Sequence, residues 1–483
     1  MANEATFLDV VQQRAAERPD APAVFSAERN LTYGALVAEA RGLGGALAAQ
    51  TQRPVVALYM PMTTSFVSAF LGTLYSGRAA LPLNLMLPVE QLGPILADSG
   101  ADIIVTLPDF KPKLAALPAR VLGVNELKPA PGASLRPPRP EDLCTLLYTS
   151  GSTGAPKGVE LTFANITSNA LASVEAMEMS PRLRVLACLP TFHTFAITAT
   201  TVAELVAGAS IVALPKFDPE LMLTAASQQR CTLLVMIPSM FRLLIRRQES
   251  RKLPMEHLEM AVSGAEPLPA EVGRRFREVF GLELLEGYGM TESSPVIAVN
   301  RRGRNKPGTV GLPLPGVRVK IVDPDSLAEA PTGQTGEVWV HGSNVMRGYH
   351  NRPAETAQVI TFDGWLRTGD MGALDAEGFL TITGRLKEMI KVGGEMVFPA
   401  EVENALSKHP AVAEAGAIGV KDQVRGESVK AFVALHPGQT VTPDELVQHC
   451  RKLLAPYKVP RAIEVVPALP KTPTGKVLRR LLK

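Results

Sequence analysis

The chain has 483 residues, of which 46% are apolar and 20% charged, and its formal net charge at pH 7 is +3. This composition is that of an ordinary globular protein, long enough for two or more domains. The small net charge argues against a nucleic-acid-binding protein. The four cysteines, at positions 144, 188, 231 and 450, have neither metal-ligand nor disulfide-like spacing.

The N-terminus, MANEATFLDVV, lacks the basic region and the apolar stretch of a signal peptide. No segment reaches the roughly 18 apolar residues that a membrane span needs. We therefore expect a cytoplasmic protein with buried thiols and no transmembrane segment.

Strand-like apolar runs alternate with helical patterns through the first two-thirds of the chain. The runs are PVVALYM (54–60), DIIVTL (102–107), RVLACLP (184–190), SIVALP (210–215) and TLLVMIP (232–238), and a long helical pattern covers 33–49. Strands that are apolar throughout and alternate with helices are typical of parallel α/β sheets.

From about residue 305 the pattern changes to short strands between Gly/Pro turns, as in VRVKIVD (317–323) and GEVWVHG (336–342). These strands predict a small β-barrel-like subdomain. A last unit mixes strands with helices, including PAEVENALSKH (399–409). We predict two domains, residues 1–386 and 387–483.

The segment YTSGSTGAPKGV (148–159) follows a strand-like run and combines hydroxyls, glycines and one lysine. Glycines let successive backbone N–H groups converge on an anion. The segment does not match the G-x-x-x-x-G-K-[ST] pattern of nucleotide hydrolases, because Gly158 follows Lys157. Gly/Ser/Thr clusters are usually solvated loops, but the lysine and the preceding strand favour a polyphosphate site.

Six further segments contain candidate catalytic or ligand-binding residues: LPTFHTFA (189–196), SGAEPL (263–268), EGYGMTESSP (286–295), GWLRTGD (364–370), GRLKEMIKVGGEMVFP (384–399) and PKTPTGKVLRR (470–480). Each has an ordinary structural interpretation when taken singly. His193 could be a core histidine, Asp370 a turn residue and Tyr288 a packing residue.

Taken together and in this order, the seven segments resemble the adenylate-forming superfamily, which includes acyl-CoA synthetases, luciferases and the adenylation domains of peptide synthetases. The resemblance covers essentially the whole chain. It implies an α/β fold with a large, multi-layered N-terminal domain and a small, mobile α+β C-terminal domain. The N-terminal domain would contain two α/β subdomains and the β-barrel-like subdomain.

The resemblance also implies a role for each segment. ATP would be bound by the loop residues Thr149, Ser150, Gly151, Ser152, Thr153, Gly154 and Lys157, by Gly264, Ala265 and Glu266, and by Gly287, Tyr288, Gly289 and Thr291. Tyr288 would stack on adenine, and Asp370 with Arg385 would bind the ribose. Glu292 would hold Mg²⁺, and Lys476 would bridge the substrate carboxylate and the α-phosphate. Thr149, His193, Glu292 and Lys476 are the catalytic candidates.

The implied reaction has two steps. A carboxylate attacks the α-phosphorus of ATP and pyrophosphate leaves, and a thiol then attacks the acyl-adenylate and AMP departs. Family enzymes swing the C-terminal domain between the steps, with the hinge at Lys387 here. Lys391, Gly393 and Gly394 would then face the pantetheine arm of coenzyme A (CoA).

Several alternatives stay open. The leading interpretation is a medium- or long-chain fatty acid–CoA ligase, since FHTFA lacks the aspartate with which amino-acid adenylation domains bind an amine. Phe192, His193, Phe195, Val235, Met236, Ile237 and Met240 are the expected pocket wall. An aryl-CoA ligase, an enzyme loading an acyl carrier protein, and a non-catalytic nucleotide-binding protein are the alternatives. The oligomeric state, monomer or homodimer, is left open.

Overall fold

The computed structural model describes residues 5–128, 135–149, 156–471 and 477–483. The chain forms two compact units. The first contains residues 1–319 and 340–366, and the second contains residues 320–339 and 367–483. The domain boundary near residue 386 stays a prediction, because this division by compactness places residues on both sides of 386 in the second unit.

The strands of the described residues are numbered in chain order. They are β1 (Pro22–Phe25), β2 (Leu31–Thr32), β3 (Val55–Tyr59), β4 (Ala79–Pro82), β5 (Ile103–Thr106), β6 (Arg120–Gly123), β7 (Leu143–Thr149), β8 (Lys157–Thr162), β9 (Arg184–Ala187), β10 (Ser210–Ala213), β11 (Leu233–Met236), β12 (Met260–Ser263), β13 (Leu284–Gly289), β14 (Val296–Val299), β15 (Leu312–Pro313), β16 (Arg318–Val322), β17 (Gly336–His341), β18 (Gly348–Tyr349), β19 (Leu366–Leu374), β20 (Leu380–Arg385), β21 (Ile390–Val392), β22 (Glu395–Val397), β23 (Val412–Asp422), β24 (Gly426–Leu435) and β25 (Ala462–Val465).

The α-helices of the same residues are α1 (Phe7–Glu17), α2 (Tyr33–Gln50), α3 (Thr64–Tyr75), α4 (Leu92–Ser99), α5 (Lys111–Leu114), α6 (Phe163–Ala176), α7 (Thr194–Ile197), α8 (Ala203–Ala207), α9 (Pro219–Gln228), α10 (Pro238–Arg251), α11 (Ala270–Phe280), α12 (Pro353–Val359), α13 (Pro399–Leu406) and α14 (Pro443–Arg451). A five-residue π-helical segment, Thr198–Val202, connects α7 to α8. None of the described helices is long and apolar enough to cross a membrane.

The first unit is built on two mainly parallel sheets. One has seven strands in the order β18-β8-β7-β4-β3-β5-β6, and the other has nine in the order β15-β14-β13-β12-β11-β9-β10-β1-β2. All five predicted apolar runs are strands of these sheets, and the predicted helix is α2. The α/β prediction is confirmed because these strands are buried and separated by helices, as parallel sheets require.

A local sequence signal determines where helix α6 begins. Helix α6 begins after Thr162 because the two ends of its first turn bond reciprocally. The backbone N–H of Asn165 donates to Thr162 Oγ1 at 3.2 Å, and the backbone N–H of Thr162 donates to Asn165 Oδ1 at 2.8 Å. Such a capping box satisfies N–H groups that a helix start leaves without partners.

The second unit contains a four-stranded sheet, β16-β17-β19-β20, and a five-stranded sheet in which β24 pairs with β21, β23 and β25. Helices α13 and α14 pack with the five-stranded sheet through a separate cluster of buried apolar side chains. The expected buried cysteines are also found, because all four thiols are buried and unpaired.

Candidate active site

A cavity lies in the first unit, against the parallel strands β11, β12 and β13. The space inside it, with its open mouth included, is about 740 Å³. Its wall is mainly apolar and consists of Ser173, Met177, Met179, Phe195, Ala199, Ala203, Glu204, Leu233, Val235, Met260, Val262, Gly264, Ala265, Gly287, Tyr288, Gly289, Pro295, Val296 and Val299.

Strand alternation decides which side chains reach the cavity. Leu233 and Val235 on β11 line it, while Met236 is fully buried in the core cluster on the other face. Successive side chains of a strand point to opposite faces of the sheet. Of the predicted wall, Phe195 and Val235 line the cavity. The assignment of Met236 to this wall was therefore wrong.

The carboxyl ends of β12 and β13 form one side of the cavity. Gly264 and Ala265 directly follow β12, and Tyr288 is half-buried near the end of β13. Open α/β sheets bind ligands at such strand ends. The structure thus brings together five of the residues assigned to ATP: Gly264, Ala265, Gly287, Tyr288 and Gly289. Glu266 directly follows Ala265 in the chain and is half-buried.

Thr291 and Glu292 belong to a 3₁₀ turn, Thr291–Ser293, that follows β13. Oε1 of Glu292 accepts a hydrogen bond from the hydroxyl of Tyr349 at 2.9 Å. Burial raises the pKa of the Tyr349 hydroxyl above its usual value, and the neighbouring Glu292 carboxylate raises it further.

Lys157 is the first residue of β8, directly across from Thr149 on β7. Its ammonium lies over the ring of Tyr349, 5.2 Å from the ring centre, and forms an ion pair with Glu355. Lys157 and Glu292 therefore contact the same tyrosine from its ring and its hydroxyl. The intervening candidates Ser150, Gly151, Ser152, Thr153 and Gly154 lie outside the described residues.

Tyr349 lies outside all seven segments that the sequence singles out. Its position depends on β18, which pairs with β8 and sets Tyr349 across from Val159. A two-residue strand has no periodic pattern, so local sequence could not indicate the contact. A second residue without a predicted role is Glu286, whose burial raises the pKa of its carboxyl to about 7.

His193 is not among the described residues that line the cavity. It directly precedes α7, is exposed, and packs its ring against Phe192 with ring centres 4.5 Å apart. The cavity is reached instead by Phe195, two residues further along.

The second unit contains the predicted ribose site. Asp370 on β19 is only 3% exposed, and its Oδ1 forms an ion pair with Arg385 Nε at 2.8 Å. The two residues are directly opposite each other in the antiparallel pair β19–β20. The structure thus brings together these two candidates, which are 15 positions apart in sequence.

Lys391 is exposed on β21, and its ammonium lies 3.7 Å from Asp325 Oδ1. Gly393 and Gly394 form the turn to β22 with φ of +63° and +90°. Residues that carry a side chain rarely adopt such backbone φ angles, which explains why glycine occupies both positions. Lys476 lies outside the described residues.

Comparison with known proteins supplies the family. The model of the AMP-binding enzyme family matches residues 11–350, and that of the AMP-binding enzyme C-terminal domain matches residues 401–476. The chain belongs to the AMP-binding enzyme family.

Relatives of this AMP-binding enzyme act on different acids. It is 36% identical over 477 residues to a feruloyl-CoA synthase of Amycolatopsis sp, with 97% of this chain and 96% of the relative covered. It is 34% identical over 526 residues to a long-chain-fatty-acid–CoA ligase of Bacillus subtilis, with 99% of this chain and 94% of the relative covered. The O-succinylbenzoate coenzyme A synthetase of Bacillus subtilis, solved with ATP and a magnesium ion, is 30% identical with a TM-score of 0.88, covering 99% of this chain and all (100%) of that one.

These relatives confirm the predicted superfamily, its fold and its enzyme class. The protein is an AMP-forming acid–thiol ligase that makes acyl- or aryl-CoA through an acyl-adenylate. Enzymes of this class use ATP and CoA as substrates and Mg²⁺ as the metal ion.

The residues present fit a magnesium ion held mainly by substrate. Mg²⁺ is usually bound through one or two carboxylates together with phosphate oxygens and water. Among the described residues there is no cluster of three or more His, Cys, Asp or Glu that could form an all-protein site. A single carboxylate such as that of Glu292, positioned by Tyr349, matches this chemistry.

Proposed function

We propose that this enzyme ligates a hydrophobic carboxylic acid to CoA. The observation that supports this is the cavity wall, which consists almost entirely of methionine, valine, alanine, leucine, glycine and aromatic residues. Burying an apolar acyl group there gains about 25 cal/mol per Å². Medium- and long-chain fatty acids remain the first candidate substrates, and the similarity to a long-chain-fatty-acid–CoA ligase supports them.

Hydrophobic aryl acids are the second candidate. The wall contains Gly264, Gly287 and Gly289, which have no side chains, together with the aromatic residues Tyr288 and Phe195. An aromatic ring packs favourably against such aromatic side chains. The 36% identity to a feruloyl-CoA synthase supports the same class.

Each candidate residue has a proposed role. Lys157, Thr149 and the loop between them would bind the β- and γ-phosphates, and Thr291 would contact the α-phosphate. Tyr288 would stack on the adenine, and Asp370 with Arg385 would bind the ribose hydroxyls. Bound Mg²⁺ would neutralise phosphate charge, and Glu292 would hold it. Because two anions react, the contribution of these residues is positioning and charge neutralisation.

For the second step we propose that CoA approaches Lys391, Gly393 and Gly394. A carbon added to either glycine would meet no other atom within 4 Å, so the backbone of this turn is open to a narrow ligand. An acyl carrier protein, which also presents a pantetheine thiol, is the alternative acceptor. Comparing thioester yield with CoA and with a purified carrier protein distinguishes the two.

A panel of acids tests the proposed function. We expect fatty and aryl acids to support pyrophosphate release from ATP, and amino acids not to. The acidic residue among the described residues of the wall, Glu204, is fully buried, which disfavours the charged carboxylate that an ammonium group would need. The measurement is pyrophosphate release for each acid, with and without CoA. An amino acid that outperforms every fatty and aryl acid would contradict the proposal.

A hinge variant tests the two-step mechanism. Lys387 is exposed in a 3₁₀ turn, Leu386–Glu388, between β20 and β21. If the C-terminal domain must rotate here between steps, Lys387→Pro should slow thioester formation much more than adenylate formation. Proline fixes φ near −65° and restricts the preceding residue.

The matched control is Lys387→Ala, which removes the side chain but leaves the backbone free. Single-turnover measurements give the adenylate formed per enzyme and then its decay when CoA is added. Decay at the native rate in Lys387→Pro would show that no hinge is needed at this position.

A further inference from the structure

Glu204 is an unusual component of the cavity wall. It lies on α8, directly after the π-helical segment Thr198–Val202, and it is 0% exposed. Neither carboxyl oxygen has a hydrogen-bond partner among the residues that the structure describes. π-Helical segments inside helices are frequent at functional sites.

Such a carboxyl group is costly to the folded protein. Burial raises the pKa of Glu204 well above its usual value, because a fully buried carboxyl group favours its neutral form. A neutral carboxylic acid has one O–H donor and a carbonyl acceptor. Leaving both without partners in an apolar environment costs stability that a leucine would not cost. A ligand that supplied both partners would remove this penalty.

A second polar group lies in the same wall. Ser173 on α6 is 7% exposed, and its hydroxyl also lacks a partner among the described residues. The rest of the wall is apolar except for the Tyr288 hydroxyl and backbone groups. Two unpartnered polar groups in an otherwise apolar cavity are the pattern by which binding sites orient a ligand.

We propose that Glu204, with Ser173, binds a hydroxyl group on the acyl part of the substrate, so that the enzyme prefers a hydroxylated hydrophobic acid to the corresponding unsubstituted acid. A hydroxyl both donates and accepts, which matches a neutral carboxylic acid. An ammonium group would require Glu204 to ionise in an apolar wall, which is unfavourable. This inference rests on the proposed function, because it places the acyl group in this cavity.

The test compares two matched pairs of acids with the native enzyme: para-hydroxycinnamate with cinnamate, and ω-hydroxydodecanoate with dodecanoate. We expect kcat/KM for the hydroxylated acid to be higher by about 10- to 100-fold in one pair, because the unsubstituted acid leaves Glu204 without partners. The pair that shows the preference identifies the substrate as an aryl or an alkyl acid.

Variants connect the preference to Glu204. Glu204→Leu should abolish it, lowering kcat/KM for the hydroxylated acid and keeping or raising it for the unsubstituted acid. Glu204→Gln should keep most of it, since an amide also donates and accepts. Val206→Ala is the control, because Val206 is buried on the same helix but does not line the cavity, so it should change both acids equally.

The outcomes are distinguishable. Equal kcat/KM within both pairs, or a preference that survives in Glu204→Leu, would overturn the inference and leave the proposed function intact. No pyrophosphate release with any of the four acids would instead contradict the proposed function. If Glu204→Leu does not fold, the native enzyme still shows whether the hydroxylated acid of a pair is preferred. Ser173→Ala provides a second variant, and it should weaken this preference.

Discussion

Replacing Glu292 by glutamine is expected to slow acyl-adenylate formation by about 10²–10³-fold, the usual cost of losing one group that stabilises charge in a transition state. Glutamine keeps the size of the side chain and still accepts the hydrogen bond from the Tyr349 hydroxyl, which is 2.9 Å from Oε1. What it loses is the negative charge that would hold Mg²⁺. The measurement is single-turnover adenylate formation at several Mg²⁺ concentrations.

The dependence on Mg²⁺ separates this role from a structural one. If Glu292 holds the ion, Glu292→Gln should require a higher Mg²⁺ concentration for half-maximal rate. Tyr349→Phe is the control, because it removes the hydroxyl and leaves the carboxylate charge, so we expect a smaller loss of about tenfold. A native rate in Glu292→Gln at every Mg²⁺ concentration would exclude a role for Glu292 in metal binding.

The sequence was sufficient for the features that are encoded locally. Apolar runs such as 54–60 and 232–238 are β3 and β11, because a buried parallel strand needs apolar residues on both faces. Motif residues that are close in sequence, such as Gly287, Tyr288 and Gly289, also lie together in the cavity wall. For Asp370 and Arg385 the contact follows from one antiparallel pair of neighbouring strands.

Contacts that depend on long-range packing could not be predicted from the local sequence. Tyr349 contacts Lys157 and Glu292 only because β18 pairs with β8, almost 200 positions earlier in the chain. Met236 was expected in the cavity wall together with its neighbours Val235 and Ile237, although successive residues of a strand face opposite sides of the sheet.

Glu204 shows a different limit. An acidic residue in VAELVAG is ordinarily expected on the exposed side of a short helix, because carboxylates are seldom fully buried. All five residues of α8 are buried, and Glu204 reaches the cavity wall. Whether an element has any exposed side depends on everything packed around it, which a local pattern does not contain.

Lys476→Ala is expected to remove most acyl-adenylate formation, by about 10²–10³-fold, while thioester formation from preformed acyl-adenylate remains largely intact. The resemblance to adenylate-forming enzymes assigns Lys476 to the charge that develops as the carboxylate approaches the α-phosphate. That charge exists only in the first step, so a lysine with this role should affect only that step. The two half-reactions are measured separately, by pyrophosphate release and by consumption of added acyl-adenylate.

Lys471→Ala is the matched control for this prediction. Lys471 lies five positions earlier in the same C-terminal segment and forms an ion pair with Glu414, with both side chains about a third exposed. Ion pairs of this kind contribute about 1 kcal/mol or less, and Lys471 has no proposed contact with substrate. Lys471→Ala should therefore keep near-native rates in both steps. Equal losses in both half-reactions for Lys476→Ala would show that Lys476 has no role specific to adenylation, and equal losses in the two variants would indicate a structural effect on this segment.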